Sequence, residues 1–153
     1  MSIVARLEEH AVQPEQELAA LLERAKGDGA VVSFTGVARG ASKSGQAVHR
    51  LVLEHHPVLT LQSLQNIAGE AAAKFDVNHV HIVHRRGNIA PGEPIVFAGA
   101  ASIHRRAAFE AADYLMDRLK TDAAFWKREE RLDGATWIEP SDADRADRAR
   151  WSR

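Results

Sequence analysis

The run from Ser102 to Glu129 constrains this chain more than any other. It opens Ser102-Ile103-His104-Arg105-Arg106, continues as an apolar-striped segment to Leu119-Lys120, and closes on Phe125-Trp126-Lys127-Arg128-Glu129. Phe109, Ala112, Met116 and Leu119 recur at helical spacing with Ala108, Ala111 and Leu115 beside them, which predicts a helix with one buried face. His104, Arg105 and Arg106 stand at its N-terminal end, where the helix dipole and free N–H groups already present positive potential. Cations there weaken a helix, so they call for another purpose, and a bound phosphate would provide one. Lys120 closes the helix and Lys127 follows in an aromatic segment. A chain that bends back between them brings both amines to one pocket.

The remaining pattern alternates strands with helices. Short strands are expected at Ser2 to Leu7, Ala30 to Val37, His49 to His55, Val77 to His84 and Pro94 to Ala100. Helices are expected from Pro14 to Lys26 and from Pro57 to Phe75, the second striped by Leu64, Ile67, Ala68, Ala71 and Phe75. Residues 41 to 46 are small and polar, a mobile loop by composition, and Asp133-Gly134 joins Phe125 to Glu130 with Ala135 to Glu139 as a hairpin. The fold class is therefore α+β with a mixed or mostly antiparallel sheet, in a single domain over residues 1–140. Residues 141–153 form a charged C-terminal tail, frayed or a short surface helix.

Composition excludes several functions. At 153 residues the chain can bury a real core, and its net charge of −1 points to neither nucleic acid nor a membrane surface. No apolar run approaches the ~20 residues that span a bilayer. The first ten residues lack the basic-then-apolar order of a signal peptide, so a cytoplasmic location is expected. Cysteine is absent, which removes disulfides, thiolate nucleophiles and thiolate metal sites together.

Three groups of residues could carry chemistry. Lys120 and Lys127 are the first. A surface lysine ordinarily serves solubility, but Lys127 lies between Trp126 and Arg128, and burial beside other cations would make its amine a base or nucleophile near neutral pH. Arg39, His104 and Arg105 are the second, either an anion site or ordinary ion-pairing residues. The histidines are the third. His79 and His81 share a strand face with His84 on the other, and His55-His56 ends a different strand beside Glu54. A histidine-only zinc site is conceivable, yet no carboxylate sits at ligand spacing and no His-Glu-x-x-His helix is present, so no metal is expected.

Taken together, these residues fall into one pattern. It comprises Thr35-Gly36 with Arg39, Leu53-Glu54-His55, His84-Arg85-x-Gly87 through Pro91-Gly92-Glu93, Ser102-x-His104-Arg105, Ala108-Phe109-Glu110-Ala111, Lys120-Thr121, Phe125 to Glu129 and Trp137-x-Glu139. From about Ala30 to Glu139, in order and with compatible spacing, the chain resembles the large, catalytic subunit of molybdopterin synthase.

The resemblance implies an α/β hammerhead with an additional antiparallel sheet region. It implies a sulfurtransferase that converts cyclic pyranopterin monophosphate into molybdopterin, in molybdenum cofactor biosynthesis. Sulfur would come from the C-terminal Gly-Gly thiocarboxylate of a small ubiquitin-like carrier subunit, and two large subunits would form a homodimer within a heterotetramer. By matching position, Lys120 and Lys127 are the catalytic residues, while Arg39, His104, Arg105, Arg128 and Glu129 are substrate-binding; no cofactor is implied. The rival readings are a non-catalytic phosphate-ligand-binding protein and a histidine-based metal hydrolase. Four positions depart from the family pattern. Val37 stands where lysine is frequent and His56 where tyrosine is common. Ala124 replaces a proline, which would loosen the turn between the lysines. Pro140-Ser141 follows Glu139 where a basic residue often contributes across the dimer.

Overall fold

A computed structural model describes residues 1–152. Its strands are β1 (Ser2–Glu8), β2 (Ala30–Val37), β3 (Arg50–His55), β4 (His79–Arg85), β5 (Gly87–Ile89), β6 (Pro94–Ser102), β7 (Phe125–Arg131) and β8 (Gly134–Ile138). Its helices are α1 (Pro14–Arg24), α2 (Leu59–Lys74), α3 (Arg105–Asp122) and α4 (Asp142–Ala149), with a 3-10 turn at Arg150–Ser152. Helices and mixed sheets together make this an α+β fold, and none of the described helices is long and apolar enough to cross a membrane.

The strands form two four-stranded sheets. The first runs β1-β4-β6-β2, with β1 parallel to β4 and the other pairs antiparallel; the second runs β5-β3-β7-β8 and is antiparallel throughout. Alternation along β4 and β6 divides the first sheet between two layers of helix. Val80, Ile82, Ala98 and Ala100 pack with α2 and α3 through Leu64, Ile67, Ala68, Ala71, Ala111 and Leu115. Val83, Phe97 and Ala101 face the other way, against Leu21 and Ala25 of α1. Gly99 shares that face, and a Cβ there would stand 2.6 Å from Leu21 Cδ2. Glycine is what lets α1 lie so close.

The organising helix is where expected, but its buried face is rotated from the predicted stripe. Ala108, Ala111, Ala112, Leu115 and Leu119 are buried, whereas Phe109 is 58% exposed. The alanines allow α3 to approach Ala98 and Ala100 of β6 closely, and Phe109, one residue and about 100° around from Ala108, is turned outward. Helix α2 begins at Leu59, after Pro57, and the imidazole of His56 satisfies two backbone N–H groups at its start. His56 Nδ1 accepts from the N–H groups of Val58 and Leu59 at 3.1 and 3.0 Å. Histidine in place of tyrosine thus gains a structural role.

Candidate active site

Helix α3 ends at Asp122 and β7 begins at Phe125, so two residues carry the reversal. Helix α2 pins that turn from beside it. Thr60 Oγ1 donates to the Ala124 carbonyl at 2.6 Å, and the Ala124 N–H donates to Ser63 Oγ at 3.0 Å. Proline at 124 would lack the second donor. Alanine therefore ties the turn down instead of loosening it.

The reversal delivers Lys120 and Lys127 to one place. Both line a cavity of about 460 Å³, and both line a narrower slot of about 120 Å³ beside it. Arg39, just beyond β2, lines the wide cavity with Lys43, Glu129, Arg131 and Glu139. Arg131 donates to Glu129 at 3.1 Å, while Arg39, Lys43, Lys120 and Lys127 form no ion pair among the described residues. The cavity thus carries excess positive charge, the electrostatic form of an anion site.

Strand periodicity separates the remaining predicted residues. Lys127, Glu129 and Arg131 alternate onto the cavity side, so Arg128 is directed to the other face of β7. There it donates to Glu54 at 2.7 Å and to Glu130 at 3.3 Å, and lies over the Trp137 ring. Arg128 lines neither cavity, and Glu54 serves Arg128 and not the neighbouring imidazoles. His104 is the N-cap residue of α3 and Arg105 its first residue, with no acidic side chain in the first turn. Arg105 precedes Lys120 by fifteen residues, about 22 Å along an α-helix. Neither His104 nor Arg105 lines the cavities of its own chain.

Burial pushes the Lys127 ammonium down to about 8; the Lys120 charge adds to the shift and Asp144 of α4 opposes it. Beneath this strand His84 is fully enclosed. Its ring stacks on Phe125 at 4.2 Å and Nδ1 donates to the Arg85 carbonyl at 2.8 Å. Burial lowers its pKa to about 4, so it stays neutral next to Lys127.

The other strand histidines are occupied separately. His79 Nδ1 contacts Ser2 Oγ at 2.6 Å, and His81 lies between Glu17 at 3.0 Å and Arg24 at 2.7 Å under α1. Burial lowers the His81 pKa despite the Glu17 hydrogen bond. No group of three metal-ligating side chains occurs among the described residues.

Lys43, Arg131 and Asp144 were not singled out by sequence reasoning. A lone lysine in a small polar loop carries no pattern. Asp144 did leave a signal, because Ser141-x-x-Asp144 is a capping box, and its two reciprocal bonds measure 2.8 and 3.1 Å. The tail forms α4 and docks on α3. Trp151 packs edge-on to Phe75 and Tyr114 and donates to Asp117 at 2.6 Å, while Arg148 donates to Asp122 at 2.8 Å. This docking sets Asp144 beside the lysines, lining the slot with them.

Comparison with known proteins agrees over nearly the full length. A family model described as "MoaE protein" matches residues 7–122. The molybdopterin synthase catalytic subunit of Pseudomonas aeruginosa is 44% identical over 146 residues, covering 95% of this chain and 97% of its own. The solved molybdopterin biosynthesis MoaE protein from Burkholderia ambifaria superposes with a TM-score of 0.83 at 35% identity, over 99% of both chains. A protein–protein complex of subunits 1 and 2 of molybdopterin-converting factor from Helicobacter pylori contains the same fold, with a TM-score of 0.72 at 18% identity over 89% of each chain. On sequence and fold together, the chain belongs to the MoaE family.

Proposed function

We propose that this chain is the catalytic subunit of a molybdopterin synthase, acting in molybdenum cofactor biosynthesis, and that its paired cavities convert cyclic pyranopterin monophosphate into molybdopterin. The observation that carries this reading is the meeting of a wide basic cavity and a narrow slot at the same two amines, Lys120 and Lys127. The wide cavity suits a phosphorylated pterin, with Arg39 among the cations that would meet the phosphate. Glu129, bound to Arg131, would hold the neighbouring wall in shape. The slot, about 120 Å³, suits an extended tail without side chains, such as a Gly-Gly C-terminus.

A chain with no cysteine must receive sulfur from outside. In this reading the sulfur of the carrier's C-terminal thiocarboxylate attacks the pterin side chain, and water then cleaves the acyl–sulfur bond, leaving a thiolate on the pterin and a carboxylate on the carrier, while Lys120 stabilises charge at that carbonyl. Lys127, with its pKa near 8, exists in both forms close to neutrality and moves protons as the cyclic phosphate opens. The paired subunits of the Helicobacter pylori complex support a small partner subunit here, and the ubiquitin-like carrier is the finer form of that proposal.

His104 and Arg105 reach a substrate only from a second copy, because their own lysines are most of a helix away. Exposed Phe34 on the free edge of β2, with Ile103 and Phe109 at the start of α3, supports a homodimer through that corner. Arg128, bound to Glu54, would act by supporting β7, and the assembly would work in the cytoplasm. The test mixes the chain with a thiocarboxylated carrier and cyclic pyranopterin monophosphate and assays dithiolene product. Product is expected with the native chain and lost in both Lys120→Ala and Lys127→Ala; retained turnover in the two variants removes the assignment.

A further inference from the structure

The loop between β2 and β3, small and polar in composition, is built around its own tip. Ala41 and Ala47 form an isolated bridge, the Ser42 N–H donates to the Gln46 carbonyl at 2.8 Å, and the Gly45 N–H returns to the Ser42 carbonyl at 2.9 Å. Gly45 takes φ +84°, the conformation this tight return needs. Gln46 Oε1 accepts from Arg131 Nη1 at 2.8 Å, which ties the loop to β7 at the cavity wall. One residue of the tip carries charge. Lys43 lines the wide cavity with Arg39 and also lines the slot with Lys120 and Lys127.

Among the cations that line the wide cavity, Lys120 and Lys127 are assigned to the reaction, which leaves Arg39, Lys43 and Arg131 to meet an anion. Val37, which follows a bulge in β2, is half-exposed and apolar, and Arg131 is engaged by Glu129 and Gln46. Lys43 has no ion-pair partner among the described residues, and its charge joins the Ser141 hydrogen bonds and Lys120 in lowering the Asp144 pKa across the slot. The two non-bridging oxygens of a phosphodiester carry more lone pairs than one bidentate guanidinium uses, so Arg39 leaves acceptor capacity for a second cation. We propose that Lys43 is a further substrate-binding residue, which meets the phosphate of the pterin opposite Arg39 and supplies the cation that Val37 does not. This rests on the reading of the wide cavity as the phosphorylated-pterin site.

Calorimetric titration of the full chain with cyclic pyranopterin monophosphate, without carrier, tests it. Lys43→Ala is expected to bind about tenfold more weakly or worse, the usual size of a lost charge-assisted hydrogen bond, and Lys43→Arg to stay within about threefold of native. Lys43 is exposed, so both variants should melt with the native chain. Native-like binding by Lys43→Ala overturns the inference, and so does equal weakening in Lys43→Arg, which would point to loop shape and not charge. Absence of dithiolene product from the native chain with carrier would instead sink the functional reading, so the two failures are distinct.

Discussion

Lys120 and Lys127 come from different elements yet line the same two cavities, and the charge of the first helps burial hold the second near a pKa of about 8. The α3–β7 reversal, pinned through Ala124, makes that pairing possible. Asp144 of the docked tail pulls in the opposite direction.

Competitive acylation of lysines as a function of pH should therefore single out Lys127. Its modification is expected to titrate near 8. Replacing Lys120 by Met removes a like charge and moves the midpoint up, whereas Asp144→Asn removes an attraction and moves it down. Unchanged midpoints in both variants would contradict the electrostatic account.

The same depressed pKa has a stability consequence of definite sign. Between about 8 and the ordinary 10.5 the unfolded chain binds the Lys127 proton and the folded chain does not, so stability rises with pH across that window. Lys127→Met should unfold at higher urea than native at pH 7, and the gap should close toward pH 10.5. Urea titrations at the two pH values check this.

His84 sets an acid limit. Its folded pKa of about 4 lies below the ordinary 6.5, so the unfolded state takes up the proton first as pH falls. Stability is expected to drop through that window by on the order of 3 kcal/mol from this group. His81, also lowered by burial, acts in the same direction. His84→Phe should stack on Phe125 and flatten its share of the loss, which chemical denaturation at pH 7 and pH 4.5 would measure.

Gly99 is the tightest point of the α1 interface. Gly99→Ala forces its Cβ against Leu21, which is itself fully buried. A loss of about 1–3 kcal/mol is expected from overpacking, read as a lowered urea midpoint with unchanged slope.

Trp151→Ala should release the tail without unfolding the sheets. Hydrogen exchange is expected to rise in α4 alone, and the Lys127 midpoint to fall toward that of Asp144→Asn, because the helix that presents Asp144 is no longer held. Native-like protection of α4 would count against the docking.

The amino-acid sequence makes legible seven of the eight strands, the three long helices, the α+β class, the buried face of α2 and the weight of the Ser102 to Glu129 run; the three-residue β5 is too short to show a period. Those features are written as local periodicity, turn residues and residue types, each legible within a few positions of the chain. It also carried enough ordered motif to identify the lysine pair. Tertiary structure alone decided which cations share a cavity. Arg128 and Lys127 are adjacent in sequence but lie on opposite faces of β7, and Lys43, without a pattern of its own, reaches the lysines because Gln46 ties its loop to Arg131. Phe109 reads as core by spacing, yet close alanine packing turns it to the surface. Contacts between residues distant in sequence depend on how sheets and helices stack, and no window of local pattern encodes that.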